Sequence, residues 1–234
     1  MTGTLYGIGV GPGDPELMTL KADRLIRAVP VIAYPAPDKG ESFARSIAAG
    51  ALSDSQIEIP MVVPMRVARF PAQDVYAEAS DQIAGHLDAG HDVAVLCEGD
   101  PFFYGSFMYL FTRLAERFPV EVVPGVSSLG ACSAQIPRPL TARNDVLTVI
   151  PGPLPDDEIA AHIARSEAVA IMKVGRHFPR LRALLQQLAL TENARYVERA
   201  SLAGAQALPL SMAPETAPYF SMILIYKGDD PWLS

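Results

Sequence analysis

The sequence predicts an α/β protein of two α/β domains with mixed, largely parallel sheets, and three observations predict it. Short apolar runs of strand length alternate with amphipathic stretches of helix length through the first half of the chain. Two of those strands end in the same turn, Gly13-Asp14-Pro15 and Gly99-Asp100-Pro101. Beyond Pro124-Gly125 the strands follow one another more closely. That change marks a boundary near Pro119 to Gly125, giving an N-terminal domain over 1–120 and a C-terminal domain over 121–234. Strand ends of both halves are expected to meet at a cleft, as ligand sites in open α/β sheets usually do.

Leu5 to Val10 reads as a short buried strand. A helix from about Pro15 to Val29 follows, with Asp14 as N-cap, Pro15 at the first helical position and an apolar face of Leu17, Met18, Leu20, Leu25, Ile26 and Val29. Val31 to Tyr34 is the next strand, then a helix near Ser42 to Ala51, a strand near Gln56 to Pro60, a helix from about Asp74 to Ala89 and the strand Asp92 to Cys97. A helix near Ser106 to Arg117 leads to the strand Val120 to Val123 and its Pro-Gly turn. In the second half Val146 to Ile150, Ala168 to Val174, Ala194 to Glu198 and Met222 to Tyr226 read as strands. Helices are expected near Ser128 to Ala134, Asp156 to Ala164 and Pro179 to Leu190. No periodic repeat or low-complexity tract interrupts them.

At 234 residues, half of them hydrophobic, the chain has ample material for a core. A net charge of -7 without any Lys/Arg-rich block argues against general nucleic-acid binding. The first residues run into a strand without a basic region or apolar signal core, and no stretch approaches the ~20 apolar residues of a membrane span, so a cytoplasmic location without a membrane partner is expected. Cys97 and Cys132 lie in apolar surroundings with no CxxC or Cys/His cluster, which reads as buried free thiols. His86, His91, His162 and His177 show no ligand spacing, so no metal is expected; His177, after a strand end, is the one worth testing.

The segment Tyr6 to Glu16 is the most informative in the chain. A GxGxxG loop would need glycine at Pro12 or Asp14, and no Gly-Lys pair stands near for a GxxxxGK[ST] loop. Asp14, Pro15 and Glu16 occupy the place where a phosphate would seek free N–H groups and the positive helix end, so a neutral or cationic ligand suits this loop better. Glu98 to Gly105 repeats the construction. Asp100 there can cap a following helix or fix the loop about a ligand, and Phe102, Phe103 and Tyr104 can pack beneath it or wall a ligand. Ser127-Ser128 is not a nucleophile elbow, because GxSxG would need glycine at Leu129; capping or ligand hydrogen bonding fits better. Met172 sits in an apolar run where core packing is the plain alternative.

Taken in order, Gly7-Ile8-Gly9-Val10-Gly11-Pro12-Gly13-Asp14, Leu20-Lys21-Ala22, Glu98-Gly99-Asp100-Pro101, Val123-Pro124-Gly125-Val126-Ser127-Ser128 and Ile171-Met172 resemble the tetrapyrrole methylase family. Within it, Val31 to Pro35, Phe43 to Ala48 and Pro218 to Ile223 resemble the precorrin-2 C-20 methyltransferase branch. The resemblance implies a homodimer that holds S-adenosylmethionine between two domains, with precorrin-2 in an adjoining trough and S-adenosylhomocysteine as product. It implies cofactor contacts at Pro12, Glu98, Gly99, Asp100, Phe103, Ser127, Ser128, Met172 and Ala200, with backbone contacts at Ser221 and Met222. Glu98 stands where relatives acting on uroporphyrinogen often have glycine, and Ala200 replaces a glycine common there.

The implied reaction converts precorrin-2 to precorrin-3A by methylating C-20. The carboxylates of that substrate call for local cations, and Arg45, Arg66, Arg69, Arg138, Arg143, Lys173 and Arg176 are the candidates. Arg45, Arg138 and Arg176 are favoured by their place near strand ends or turns. Methyl transfer needs little acid–base machinery beforehand, and no general base is assigned. The alternatives are a sister enzyme acting on cobalt-precorrin-2 and a non-catalytic sensor of S-adenosylmethionine or a tetrapyrrole. A nucleotide-dependent enzyme is disfavoured by the acidic loops.

Overall fold

The computed structural model describes residues 1–63, 70–136 and 138–228, with residues 70–72 described in backbone only. Arg66 and Arg69 lie outside the described residues. The chain divides into two compact units, Met1–Ser127 and Ser128–Ser234.

The first unit contains β1 (Leu5–Gly9), α1 (Leu20–Ala28), β2 (Val31–Ala36), α2 (Phe43–Ala48), β3 (Ile57–Val62), α3 (Phe70–Asp88), β4 (Val93–Cys97), α4 (Phe107–Leu114) and β5 (Val120–Val123). The five strands form one sheet in the order β3-β2-β4-β1-β5, parallel throughout. Because side chains alternate across a strand, β4 sends Val93, Val95 and Cys97 into the core under α3 and α4. Ala94 and Leu96 go into the core under α1 and α2. The chain therefore leaves β1 toward one face and leaves the neighbouring β4 toward the other. Their carboxyl ends open at a topological switch point, the place where such sheets bind ligands.

Three expectations change here. The segment from Pro15 to Val29 is not one helix: Pro15–Leu17 is a single 3-10 turn, Met18 is extended, and α1 starts at Leu20. Two competing caps divide it, with the Asp14 carboxylate accepting from the Glu16 N–H at 2.9 Å and the Thr19 hydroxyl from the Ala22 N–H at 3.1 Å. Leu20, assigned to the apolar face, is exposed as a result. Asp100 does not cap a helix, since α4 begins only at Phe107. The units part at Ser127/Ser128 and not at 120/121, because β5 pairs with β1 and belongs to the first sheet.

The second unit contains α5 (Ser128–Gln135), β6 (Leu147–Pro151), α6 (Asp156–Ala164), β7 (Ala168–Met172), α7 (Phe178–Gln187), β8 (Ala194–Glu198), β9 (Gln206–Pro209) and β10 (Ser221–Tyr226). Its sheet, in the order β6-β7-β10-β8-β9, is mixed: β6 and β7 run parallel and every other pairing is antiparallel. The last strand enters the middle of the sheet, which is why all six of its residues are buried. β9 escaped the sequence reading because it is a four-residue edge strand ending in proline. Tyr196, Phe178, Ile223 and Leu181 fill the core of this unit.

Candidate functional site

In the first unit the carboxyl ends of β1 and β4 are bound to each other. Gly99 N–H donates to the Gly11 carbonyl at 2.7 Å and Gly11 N–H to the Gly99 carbonyl at 3.3 Å. The turn after β5 joins them at Gly125, where an added Cβ would lie 2.0 Å from the Gly99 oxygen; at Gly9 it would lie 2.5 Å from that same oxygen. Only glycine permits three backbones to meet this closely. Asp100 holds the group together: Oδ1 accepts from the Phe102 N–H at 2.9 Å and the Phe103 N–H at 3.1 Å, while Oδ2 accepts from the Gly125 N–H at 3.1 Å. These three bonds tie the loop after β4 to the turn after β5.

Pro12, Glu98, Gly99, Asp100 and Phe103 thus share the switch-point end of the first sheet, and Ser127 closes the unit after the Gly125 turn. Glu98 retains some exposure, yet burial of its carboxyl raises its pKa above the ordinary 4.5, against N–H groups of its own residue and of Ala44 that lower it. Phe102 is exposed and stacks edge-on against Phe111 at 5.2 Å between ring centres, and Phe103 sits edge-on to Tyr104 at 5.3 Å. Tyr104 holds a φ of 59°, in the left-handed region that non-glycine residues adopt only uncommonly. Beneath the loop, Phe107 is fully buried against Gly7, where a Cβ would meet its ring at 2.4 Å.

In the second unit Met172, Ala200, Ser221 and Met222 come to one end of the sheet. β7 ends at Met172, β8 ends two residues before Ala200, and the antiparallel β10 begins between them at Ser221. All four are buried. Arg199 and Ser201 flank Ala200 with φ of 51° and 66°, and Arg199 N–H donates to the Phe220 carbonyl at 2.8 Å. Ser221 donates its hydroxyl to the Pro218 carbonyl at 2.7 Å. Ser128 opens α5.

The three favoured arginines fare differently. Arg176 lies on the 3-10 turn just past β7, exposed and at the same end as Met172. Arg138 lies at the opposite end: its guanidinium stacks 4.7 Å over the Tyr226 ring at the finish of β10, and its buried Nε has no hydrogen-bond partner among the described residues. Burial lowers the Arg138 pKa, with Arg195 adding repulsion. Arg45 is already paired, its Nε and Nη2 donating to the Glu58 carboxylate at 2.6 and 2.7 Å. Tyr34 donates to the same carboxylate at 2.6 Å. The sequence reading missed Glu58 and Tyr34 as partners, because nothing in strand periodicity says which side chains neighbouring strands bring opposite a helix.

Cys97 and Cys132 are buried free thiols; burial holds both pKa values above the ordinary range, that of Cys132 up to about 12. His177 has its pKa lowered by burial and then by Arg176 and Arg180. Among the described residues no group of His, Cys, Asp and Glu is arranged to hold a metal ion, and no helix is long and apolar enough to cross a membrane.

Comparison with known proteins gives this geometry a family. Residues 4–212 match the family described as Tetrapyrrole (Corrin/Porphyrin) Methylases. A Cobalamin biosynthesis protein CobIJ of Mycobacterium tuberculosis (strain ATCC 25618 / H37Rv) is 45% identical over 235 residues, covering 97% of this chain and 46% of that protein. The chain thus spans about half the length of that relative. A Precorrin-2 C(20)-methyltransferase of Sinorhizobium sp is 40% identical over 95% of both chains. A Cobalt-precorrin-2 C(20)-methyltransferase of Salmonella typhimurium is 32% identical over 97% of this chain and 98% of the other. Among solved structures, a Thermus thermophilus uroporphyrin-III C-methyl transferase complexed with S-adenosyl homocysteine superposes with a TM-score of 0.69 at 26% identity, covering 95% and 92% of the two chains. The chain belongs to the tetrapyrrole (corrin/porphyrin) methylases.

Proposed function

We propose that this chain transfers a methyl group from S-adenosylmethionine to C-20 of precorrin-2, giving precorrin-3A in cobalamin synthesis. The observation that carries the reading is the 40% identity to a precorrin-2 C(20)-methyltransferase over 95% of both chains. The donor set suits the cofactor. Neither Gly7 to Glu16 nor Glu98 to Gly105 contains Lys or Arg, while Asp14, Glu16, Glu98 and Asp100 favour a cation over a phosphate. S-adenosylmethionine, when bound, supplies an electrophilic methyl on a sulfonium.

The rest is the work of the chain's own residues. Asp100 fixes Phe102, Phe103 and Gly125, and Gly11 pairs with Gly99, so that Pro12, Gly99 and Phe103 present a preformed surface, and pre-organisation of this kind supplies much of the acceleration in an in-line displacement. Met172, Ala200, Ser221 and Met222 offer a buried, largely apolar sheet end suited to adenine, and Ser127 and Ser128 carry hydroxyls that can bond the cofactor. Arg176 is the cation best placed for a substrate carboxylate. The enzyme acts in the cytoplasm as a homodimer under this reading.

The second reading, methylation of cobalt-precorrin-2, follows from the 32% identical Salmonella typhimurium relative. Anaerobic incubation with S-adenosylmethionine and either the metal-free or the cobalt substrate, followed by mass spectrometry, separates the two. One methyl gained by the metal-free compound supports the first, and methylation of the cobalt form alone supports the second. Cofactor binding with no methyl on either would leave a sensor.

A further inference from the structure

The turn that precedes β10 displays two large aromatic rings. Tyr219 is 64% exposed and Phe220 41%, and the rings meet edge-on at 5.1 Å between their centres. The backbone that carries them is pinned by three hydrogen bonds. Ser221 N–H donates to the Tyr219 carbonyl at 3.0 Å, the Ser221 hydroxyl donates to the Pro218 carbonyl at 2.7 Å, and the Phe220 carbonyl accepts the Arg199 N–H at 2.8 Å. A ligand laid against these rings need not first order the turn, which removes one of the usual costs of binding.

The 3-10 turn Gly175–His177 lies against the same segment, for a Cβ added at Gly175 would come 3.9 Å from the Pro218 oxygen and 3.9 Å from Tyr219 Cα. That turn carries the exposed Arg176, whose Nε donates to the His177 Nε2 at 3.3 Å. An imidazole nitrogen that accepts this bond belongs to a neutral ring, so the guanidinium keeps its charge. Among the described residues no carboxylate forms an ion pair with Arg176. Exposed rings beside an uncompensated cation match a ligand that is flat and apolar over its face and anionic at its rim. An inorganic phosphate would leave the rings uncovered, and adenine would leave the guanidinium without an anion. Phe220 directly precedes Ser221 and Met222, so a ligand on the rings lies beside the cofactor candidates of this unit.

We propose that Tyr219 and Phe220 form the face on which the tetrapyrrole ring is held, while Arg176 grips one of its peripheral carboxylates, an inference that rests on the reading of the chain as a C-20 methyltransferase. The polar groups of such a macrocycle project from its rim, so its face is bound by stacking and edge contacts and not by hydrogen bonds. Tyr219, the more exposed of the two rings, offers the larger contact area. Both are positioning residues: the pinned turn sets the plane of the macrocycle relative to the end of the second sheet. They hold the substrate alike before and during methyl transfer, and so act on KM and not on kcat. They also select for size, because an acceptor without an extended apolar face engages the guanidinium alone.

The test titrates metal-free precorrin-2 into the S-adenosylhomocysteine-loaded protein under anaerobic conditions, read by absorbance, and then measures turnover, for wild type, Tyr219→Ala, Phe220→Ala, the double variant and Tyr219→Phe. Each alanine variant should weaken precorrin-2 binding by about 3–10-fold and the double variant by about 10–10²-fold. KM should rise by the same factors, with kcat changed by less than about threefold. Tyr219→Phe, which keeps the ring, should stay within about threefold of wild type. Affinity for S-adenosylhomocysteine and the urea midpoint should match wild type in every variant, because the rings are exposed. Alanine variants that bind precorrin-2 as tightly as wild type overturn the proposal. So does a parallel loss of S-adenosylhomocysteine affinity, which makes the rings part of the cofactor pocket, or a change in sedimentation, which makes them a contact between copies. A wild type that adds no methyl to precorrin-2 fails the C-20 reading and takes the proposal with it; a wild type that methylates while the alanine variants match it defeats the proposal alone.

Discussion

Replacing Gly125 with alanine probes the loop knot directly. The Cβ would stand 2.0 Å from the Gly99 carbonyl oxygen and 2.9 Å from Gly9 Cα, where ordinary contact begins at 3.4 Å. The shortfall is about 1.4 Å against the nearest atom, and every obstructing atom is backbone, so no side chain can swing aside. Overpacking of this kind costs about 1–3 kcal/mol. The shift also pulls the Gly125 N–H from Asp100 Oδ2, now 3.1 Å away, and displaces the loop carrying Glu98 to Phe103. A displacement near 1 Å at a reacting site costs on the order of 10²-fold in rate. Urea unfolding and methyl-transfer kinetics measure both effects. Gly85→Ala is the internal control: Gly85 lies exposed in α3 with nothing within 4 Å of the added Cβ, so it should gain about 0.5–1 kcal/mol. A Gly125→Ala protein as stable and active as wild type would refute the close approach of the three backbones.

Other outcomes follow from the same contacts. Asp100→Asn keeps one acceptor oxygen and turns an amide donor toward an N–H, so urea unfolding should show a loss of about 1–3 kcal/mol and calorimetry weaker cofactor binding. Phe107→Ala empties a fully buried site beneath Gly7 and should lower stability by about 3–5 kcal/mol. Arg176→Ala should raise KM for the tetrapyrrole, whereas Arg138→Ala, at the other end of its sheet, should leave KM unchanged and lower thermal stability through loss of the Tyr226 stack. Stability against pH should carry two opposite contributions. Arg45 depresses the Glu58 pKa, so that pair's modest stabilisation is complete above the ordinary 4.5 and fades as pH falls through the lowered value. Burial raises the Glu98 pKa, so its contribution is full below the ordinary 4.5 and is lost as pH climbs through the raised value; Glu98→Gln should remove that second dependence.

The sequence was most legible where periodicity and burial agree. All five residues of β4 are buried and apolar, and α6 spans the segment its pattern predicts, Asp156–Ala164. Legibility failed where two local signals compete. Asp14-Pro15 and Thr19 each offer a cap, and only packing decides that the helix waits for Leu20. It failed again at β10, whose antiparallel insertion beside β7 is a matter of topology that a buried apolar run does not encode. At the candidate site, the glycines and Asp100 stood out by type and spacing. The bond from Asp100 to Gly125 spans 25 residues and so could not be read from either segment alone. Arg45 shows the same limit from the other side: its position near a strand end made it a substrate candidate, while Glu58, thirteen residues on, is its partner in the fold.

The most direct measurement uses [methyl-13C]S-adenosylmethionine with metal-free precorrin-2 enriched in 13C at C-20, under anaerobic conditions, with NMR of the product. A one-bond carbon–carbon coupling between the new methyl and C-20 is the predicted result. A labelled methyl without that coupling would place the transfer elsewhere on the macrocycle and contradict the account.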